Sequence, residues 1–335
     1  MFNNEKVSII ITTYKGSNCI RRAIRSLLEQ TYANIEIIVV DDNPPESVER
    51  IETEKIMKEY KESNIKYIKH ETNLNGAAAR NSGIKVATGE FVGFLDDDDY
   101  YLPTKVEMCV KTLTENKNSD AVFCGVIATD NTHILRVVKP KIDDSNMQKE
   151  LLFNVNMMGT GSNLFLRKLS IDKIGYFDVS YYRLQDVEFM VRFFEHYKVC
   201  CLDELLIVKA VGGYNNIPQY HRLFNIKQKF YKDFAFALSK LSKDELNKYY
   251  TNEYAMLLQS CFGKESVKTL LKAKQDLEKY RHLTIKEIGF ILLSILGKPN
   301  NNLYTLTRSL ISIIAKPIRS IILKNKYKIK DGIIK

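Results

Sequence analysis

Four consecutive carboxylates, Asp96 to Asp99, follow directly on the apolar run FVGFL, Phe91 to Leu95. A run of this kind, opened by Gly89 and followed by Pro103, reads as a buried strand that carries its charges to the strand end. Like charges gathered there repel, and full ionisation is costly unless a cation shares the site. Side chains alternate along a strand, so Asp96 and Asp98 are expected to face one way and Asp97 the other. Two hard oxygen ligands on one side suit Mg2+ or Mn2+, which binds through one or two carboxylates and completes its shell with water and phosphate oxygens. The competing interpretation is a solvated acidic turn; the strand before it and the proline after it weigh against that.

The preceding chain sets the fold class. VSIIITTY, Val7 to Tyr14, is a continuous apolar run ending in hydroxyls, the pattern of a parallel strand buried on both faces. Gly16 and Ser17 break it, with Ser17 the expected N-cap, and Ile20, Ile24, Leu27 and Leu28 recur at helical spacing. IEIIVVDD makes a second strand ending in Asp41 and Asp42, the turn NPPE stops it, and a polar helix from about Glu46 to Glu62 leads to a third strand, Ile65 to Lys69. A small-residue helix follows from Asn75 to Ala87, with Arg80 the only long charged side chain in its first two turns. This alternation predicts an α/β fold with an open, mostly parallel sheet whose ligands sit at the carboxyl ends of the strands. The first turn, TTYKGS, matches neither the dinucleotide fingerprint nor the P-loop, so those readings lose their main support. Beyond Tyr101, a helix from Lys105 to Leu113 and strands near Ala121 to Ala128 and Ile134 to Val138 extend the sheet in mixed direction. MMGTGSNLFLRK, Met157 to Lys168, is a loop and a strand, and Phe189, Val191, Phe193 and Phe194 give the apolar face of a helix starting close to Asp186. A carboxylate there lies near a positive helix end.

The last third differs in charge. Residues 1–220 hold 27 Lys/Arg against 31 Asp/Glu, whereas residues 221–335 hold 23 against 9, so the net charge of +10 resides wholly in the tail. Such asymmetry points to an anionic partner. A boundary is expected between Gly213 and His221, dividing the chain into a catalytic domain, 1–215, and a basic helical region, 216–335. Ile288 to Leu296 is apolar but about half the ~20 residues of a spanning helix. Leu303, Leu310, Ile314, Ile318 and Ile321 fall on one helical face with Arg308 and Arg319 opposite, and Lys324, Lys326, Lys328 and Lys330 follow. That pattern predicts a segment lying in a membrane interface, although Pro317 opposes a single straight helix. No nucleic-acid module is recognisable. The six cysteines form no C-x-x-C pair, which fits reduced thiols in a cytoplasm, and no secretory signal is evident.

VSIIITTYKGSNCIRRAIRSLLEQTY, IEIIVVDD, NGAAARNSGIKVATGEFVGFLDDDD and QDVEFMVRF, in this order and spacing, resemble the family 2 glycosyltransferases of the GT-A fold over roughly residues 6–215. The resemblance implies transfer of a sugar, with inversion, from a nucleotide-diphosphate donor, a UDP-sugar in the first place, to a hydroxyl acceptor. It implies Asp42, Thr12, Tyr14, Arg80, Asp96 and Asp97 around the donor, and Asp96 with Asp98 on Mn2+ or Mg2+. Asp97 and Asp99 are able to share those duties. The family's E-D pair maps onto Gln185-Asp186, which keeps Asp186 as the base and loses its acidic neighbour; Glu188 is the fallback. Gly161, Ser162 and Gln185 are expected beside the acceptor. The usual D-D-G-S is here Asp41-Asp42-Asn43-Pro44, and the Q-x-x-R-W element of processive synthases is missing, which favours single addition; the family resemblance implies a role in bacterial surface-polysaccharide synthesis (capsule, exopolysaccharide or O-antigen). The acceptor implied is a saccharide or a lipid-linked one, met at the inner face of the cell membrane. Two rivals remain: a sugar-nucleotide nucleotidyltransferase, for which TTYKGS supplies no glycine-rich loop, and a catalytically inactive, membrane-attached nucleotide-sugar binder.

Overall fold

The computed structural model describes residues 4–60, 65–141, 146–154, 156–211, 219–262, 264–296, 303–330 and 332–333, with backbone alone at 296 and 303–314. Two compact units divide the chain: Met1–Gly213 together with Tyr327–Lys335, and Tyr214–Lys326. The first unit runs β1 Val7–Thr13, α1 Ile20–Leu28, β2 Ile35–Asp41, α2 Val48–Glu59, β3 Ile65–Lys69, α3 Gly76–Val86, β4 Phe91–Asp96, β5 Tyr100–Tyr101, α4 Lys105–Glu115, β6 Ala121–Thr129 and β7 Ile134–Val138. It continues with α5 Met147–Phe153, a single 3-10 turn Gly161–Asn163, β8 Phe165–Arg167, α6 Lys168–Ile174, α7 Gln185–His196 and β9 Val199–Ala210. The sheet order is β3-β2-β1-β4-β8-β6-β9-β5, with β7 on β6. Strands β3 to β4 along this order are parallel, β8 is antiparallel to both neighbours, and β9 is parallel to β6. This is the α/β architecture the alternation implied, with mixed direction where the later strands join.

Burial explains the sequence pattern of the central strands. Val7, Ile9, Ile10 and Ile11 of β1 and Ile38, Val39 and Val40 of β2 are all fully buried, because helices cover both faces. Three local expectations change. Ser17 does not cap α1; Cys19 holds that position, and the Ser17 hydroxyl donates to Glu52. Helix α2 is shorter than 46–62, since Ser47 caps it by accepting from the Arg50 N–H. Strand β4 stops at Asp96, where its pairing with Thr12 of β1 ends, and without a ladder partner the chain turns, the Asp99 N–H donating to the Asp96 carbonyl at 3.1 Å. Asp98 therefore reaches the site from a turn, not through strand alternation.

The second unit is helical: α8 Tyr220–Asp233, α9 Ala235–Leu238, α10 Lys243–Cys261, α11 Val267–Glu278, α12 Ile285–Leu296 and α13 Leu303–Tyr327, whose last residue already belongs to the first unit. Its core gathers Leu257, Leu258, Phe262, Leu270, Leu277 and Ile291. A buried ion pair, Lys227 to Glu253 at 2.5 Å, is completed by the Tyr231 hydroxyl. Pro317 lies inside α13, which continues through it with one backbone donor fewer. The side chains of Leu303, Arg308, Leu310 and Ile314, expected on two faces of this helix, lie outside the described residues. Among the described residues no helix is long and apolar enough to cross a membrane.

Candidate active site

The parallel register brings the ends of three strands together. Thr12 lies opposite Asp96, and Thr13 opposite Asp41. Thr12 is half-buried and Tyr14, just beyond, is 42 % exposed. The loop between them and α1 is pinned: Lys15 adopts a left-handed φ of 59° and its N–H donates to the Asn43 side chain at 2.8 Å. The Asn43 amide in turn donates to Asp41, which the Arg50 guanidinium and Tyr67 hydroxyl hold in the core. Gly16 has no room for a side chain, because the Asp97 carboxylate occupies the place its Cβ would take.

The four aspartates have separate environments. Asp99 is 1 % exposed and both its oxygens are engaged, Oδ2 by the hydroxyls of Thr160 (2.8 Å) and Ser162 (2.6 Å) and Oδ1 by the Ala210 N–H. It anchors the turn and is closed to a ligand, which removes it from the metal and donor duties the resemblance allowed. Burial pushes the Asp97 carboxyl up to about 7, with the charges of Asp98 and Asp96 adding and the Thr13 hydroxyl and Tyr14 N–H opposing. Burial and the Asp96 charge also raise Asp98, against the pull of Lys209 and Arg22. Asp96 is the most constrained by a cation, accepting from Arg80 Nη2 at 2.7 Å.

Arg80 ties this turn to the start of α7. Its Nη1 donates to Gln185 Oε1 at 2.9 Å, and its guanidinium lies 5.7 Å from the Phe177 ring centroid. Gly161 faces the same space: a Cβ there would sit 3.3 Å from Arg80 Nη2 and 3.8 Å from both Asp96 Oδ2 and Asp186 Oδ2. The glycine thus leaves a methyl-sized gap between the acidic turn and the Asp186 carboxylate. Asp186 lies in the first turn of α7, near its positive end, beside half-buried Arg183, whose guanidinium burial disfavours and the Asp186 charge supports. Glu188, the fallback base, is 3 % exposed and held by Arg192 at 2.6 and 3.0 Å, so it braces α7 and does not face the gap as a free base. Ser162 is fully buried; its hydroxyl accepts from the Asp96 N–H and donates to Asp99, so it shapes the turn and has no exposed surface for an acceptor.

Asp42, at the end of β2, is 3 % exposed and accepts from His70 Nδ1 (2.7 Å), the Leu74 N–H (2.8 Å) and the Asn73 amide (3.0 Å). A carboxylate only accepts, so His70 carries its proton on Nδ1. His70 Nε2 lies 2.9 Å from the Ser82 hydroxyl. His70 and Asn73 were not singled out from the sequence, although they follow β3 at its carboxyl end, where ligands of such sheets collect. Lys209 was missed as well; it sits at the end of β9 and its charge favours the ionised forms of Asp98 and Asp99.

A divalent ion fits what is present. Asp96 Oδ2 and the Asp98 carboxylate supply hard oxygens whose mutual repulsion a cation relieves. Among the described residues no group of three His, Cys, Asp or Glu is arranged to hold a metal ion.

Residues 8–175 match the model for glycosyl transferase family 2. The chain belongs to that family and is a glycosyltransferase. An uncharacterised glycosyltransferase of Rickettsia prowazekii is 33 % identical over 251 residues, covering 72 % of this chain and 74 % of the relative. The Escherichia coli UDP-Glc:alpha-D-GlcNAc-diphosphoundecaprenol beta-1,3-glucosyltransferase WfgD is 34 % identical over 135 residues, covering 40 % of this chain and 51 % of WfgD. The fold is shared with residues 1–349 of Staphylococcus aureus TarS in complex with UDP-GlcNAc (TM-score 0.54, 19 % identity, 82 % and 89 % of the two chains). It is also shared with the Pyrobaculum calidifontis mannosyltransferase PcManGT in complex with GDP-Man and Mn2+ (TM-score 0.52, 16 % identity, 97 % and 88 %).

Proposed function

We propose that the protein is an inverting, divalent-cation-dependent glycosyltransferase that moves a sugar from a UDP-sugar to a hydroxyl of a saccharide or lipid-linked acceptor in bacterial surface-polysaccharide synthesis, working at the inner face of the cell membrane. The observation that carries the reading is the approach of one carboxylate of the acidic turn and that of Asp186 to the same methyl-sized gap at Gly161, each 3.8 Å from where a Cβ on that glycine would lie. One side is equipped to hold a departing diphosphate and the other to take a proton. Asp186 accepts the acceptor hydroxyl's proton as that oxygen bonds the anomeric carbon and the bond from that carbon to the diphosphate oxygen breaks. A single in-line displacement turns an α-linked donor into a β product. Asp96 and Asp98 would hold the cation, which when bound neutralises charge growing on the leaving diphosphate. Lys209, close to Asp98, adds positive charge on the same side, and Arg80 keeps Asp96 and the start of α7 in fixed relation. Tyr14 and Thr12 at the end of β1, with Asn73 presented by Asp42, line the place for the nucleoside. Gly161 and Gln185 border the acceptor side, while Ser162 and Asp99 position the turn from below.

The named activity of WfgD on a diphosphoundecaprenol acceptor and the UDP-GlcNAc bound by TarS support the donor and acceptor classes. The Mn2+ of PcManGT supports the cation. The basic second unit supports membrane contact. Titration of UDP into the Asp98→Ala variant, with Mn2+ and with chelator, tests the site. Wild type is expected to bind UDP at least tenfold more tightly with Mn2+ than without, and the variant to lose that difference. Equal Mn2+ enhancement in both proteins refutes the assignment.

A further inference from the structure

We infer that the outer face of α12, helped by the described end of α13, is the surface that lies on an anionic lipid bilayer. The inference rests on the membrane reading above and gives it a place. Helix α12 is fixed at its start, where the Arg281 guanidinium donates to both Glu287 oxygens (2.7 and 2.8 Å) and the Thr284 N–H donates to the same carboxylate. That anchoring turns Ile291, 6 % exposed, into the core of the unit. It leaves Ile285, Ile288, Leu292 and Ile295 outside, 90, 45, 53 and 41 % exposed. At about 100° per residue these four fall within an arc of about 80°. Gly289 lies on the same side, and a Cβ there would meet nothing. A helix that serves only its own unit has no use for such a stripe.

Helix α13 repeats the arrangement. Ile318, Ile321 and Ile322 are 57 to 60 % exposed, with Arg319 and Lys326 exposed to one side of them. From Ile288 to Lys330 the chain has eight Lys/Arg and no Asp or Glu. That charge selects the occupant. A second copy of the chain would set like charges against each other, and a nucleic acid would leave the isoleucines without a partner. A bilayer surface with acidic headgroups offers acyl chain to the isoleucines and anions to the bases at once. The proposed mode is contact along the membrane surface; among the described residues no helix is both long and apolar enough to cross a membrane.

Flotation of the full-length protein with vesicles tests the inference. Phosphatidylcholine vesicles with 30 mol % phosphatidylglycerol are expected to carry the protein, and pure phosphatidylcholine vesicles to carry it at least tenfold less. The variant Ile288→Asp/Leu292→Asp, altered at exposed positions, is expected to lose at least tenfold of the binding while circular dichroism and Mn2+-dependent UDP binding stay unchanged. Arg319→Glu/Lys326→Glu is expected to weaken binding several-fold without touching α12. Asp98→Ala is expected to float like wild type, so failure of the catalytic reading is distinguishable from failure of this one. Equal flotation of wild type and the α12 variant overturns the inference. So does a wild-type dimer, seen by sedimentation, that the α12 substitutions dissolve while vesicles are not bound.

Discussion

Arg80 is the joint of the site, and its bonds can be measured. Two glycines leave room for it: a Cβ at Gly76 would lie 3.3 Å from Nη1, and one at Gly161 would lie 3.3 Å from Nη2. The guanidinium spans Asp96 at 2.7 Å and Gln185 at 2.9 Å, and its side chain is 10 % exposed. Arg80→Ala leaves a carboxylate without its cation and an amide oxygen without its donor. Breaking a buried ion pair costs about 3–5 kcal/mol, and because Asp96 is 33 % exposed the lower end, about 3 kcal/mol, applies. The Gln185 bond uses a charged donor, so a double-mutant cycle of Arg80→Ala with Gln185→Ala should show a coupling of about 1.5 kcal/mol. Urea denaturation of the four proteins measures it. Gln185→Glu, which keeps the acceptor atom and charges it, is expected to retain or raise stability and to retain turnover. Misplacing catalytic groups by about 1 Å costs on the order of a hundredfold in rate, so Arg80→Lys, which cannot make both bonds, is expected to lose about that much nucleotide release. Additive losses of stability in the cycle, or an Arg80→Lys enzyme as fast as wild type, refute the joint.

Two further outcomes are expected. Glu36, 1 % exposed, is opposed by burial but held down to about 2 by hydrogen bonds from Ser8, the Thr88 N–H, Lys66 and Lys6. Its depressed folded pKa contributes stability that is present above about 4.5 and lost as pH falls through about 2, so Glu36→Gln should cost about 3 kcal/mol at pH 7, roughly half of that at pH 3 and little at pH 2. Urea midpoints across that range check it, and a penalty independent of pH contradicts it. Gly16→Ala places a methyl where the Asp97 carboxylate lies, an overpacking worth about 1–3 kcal/mol. Calorimetric UDP binding in Mn2+ is expected to weaken about tenfold or more while the fold persists; unchanged affinity would mean that this contact has no part in donor binding.

The strands were legible because helices cover both faces of β1 and β2, which makes them largely apolar, interrupted by Ser8 and Glu36, whose side chains hydrogen-bond each other in the core. The α/β class and the open, mostly parallel sheet followed from that pattern, and the GT-A type from the resemblance of four ordered motifs to a known family. The acidic cluster was legible as a cluster but not as a shape. Its four members differ through partners far along the chain: Asp99 is closed off by Thr160 and Ser162, Asp97 lies over Gly16, and Asp96 meets Arg80. No local pattern encodes such pairings. Glu188 and Asp186 are two residues apart on one helix, and only Arg192, one turn on, separates a brace from a base candidate. His70 was hidden for a different reason: a lone histidine after a short strand carries no spacing signal until Asp42 and Ser82 are beside it.

The central claim is that Asp186 takes the acceptor proton across the gap at Gly161 from a donor held by the acidic turn. Asp186→Asn, assayed for Mn2+-dependent UDP-sugar binding and for transfer to acceptor in the same preparation, tests it most directly. Donor affinity within about twofold of wild type together with a transfer rate lowered by about 10²–10⁴ is the expected result. Transfer at near wild-type rate with the donor still bound would contradict it.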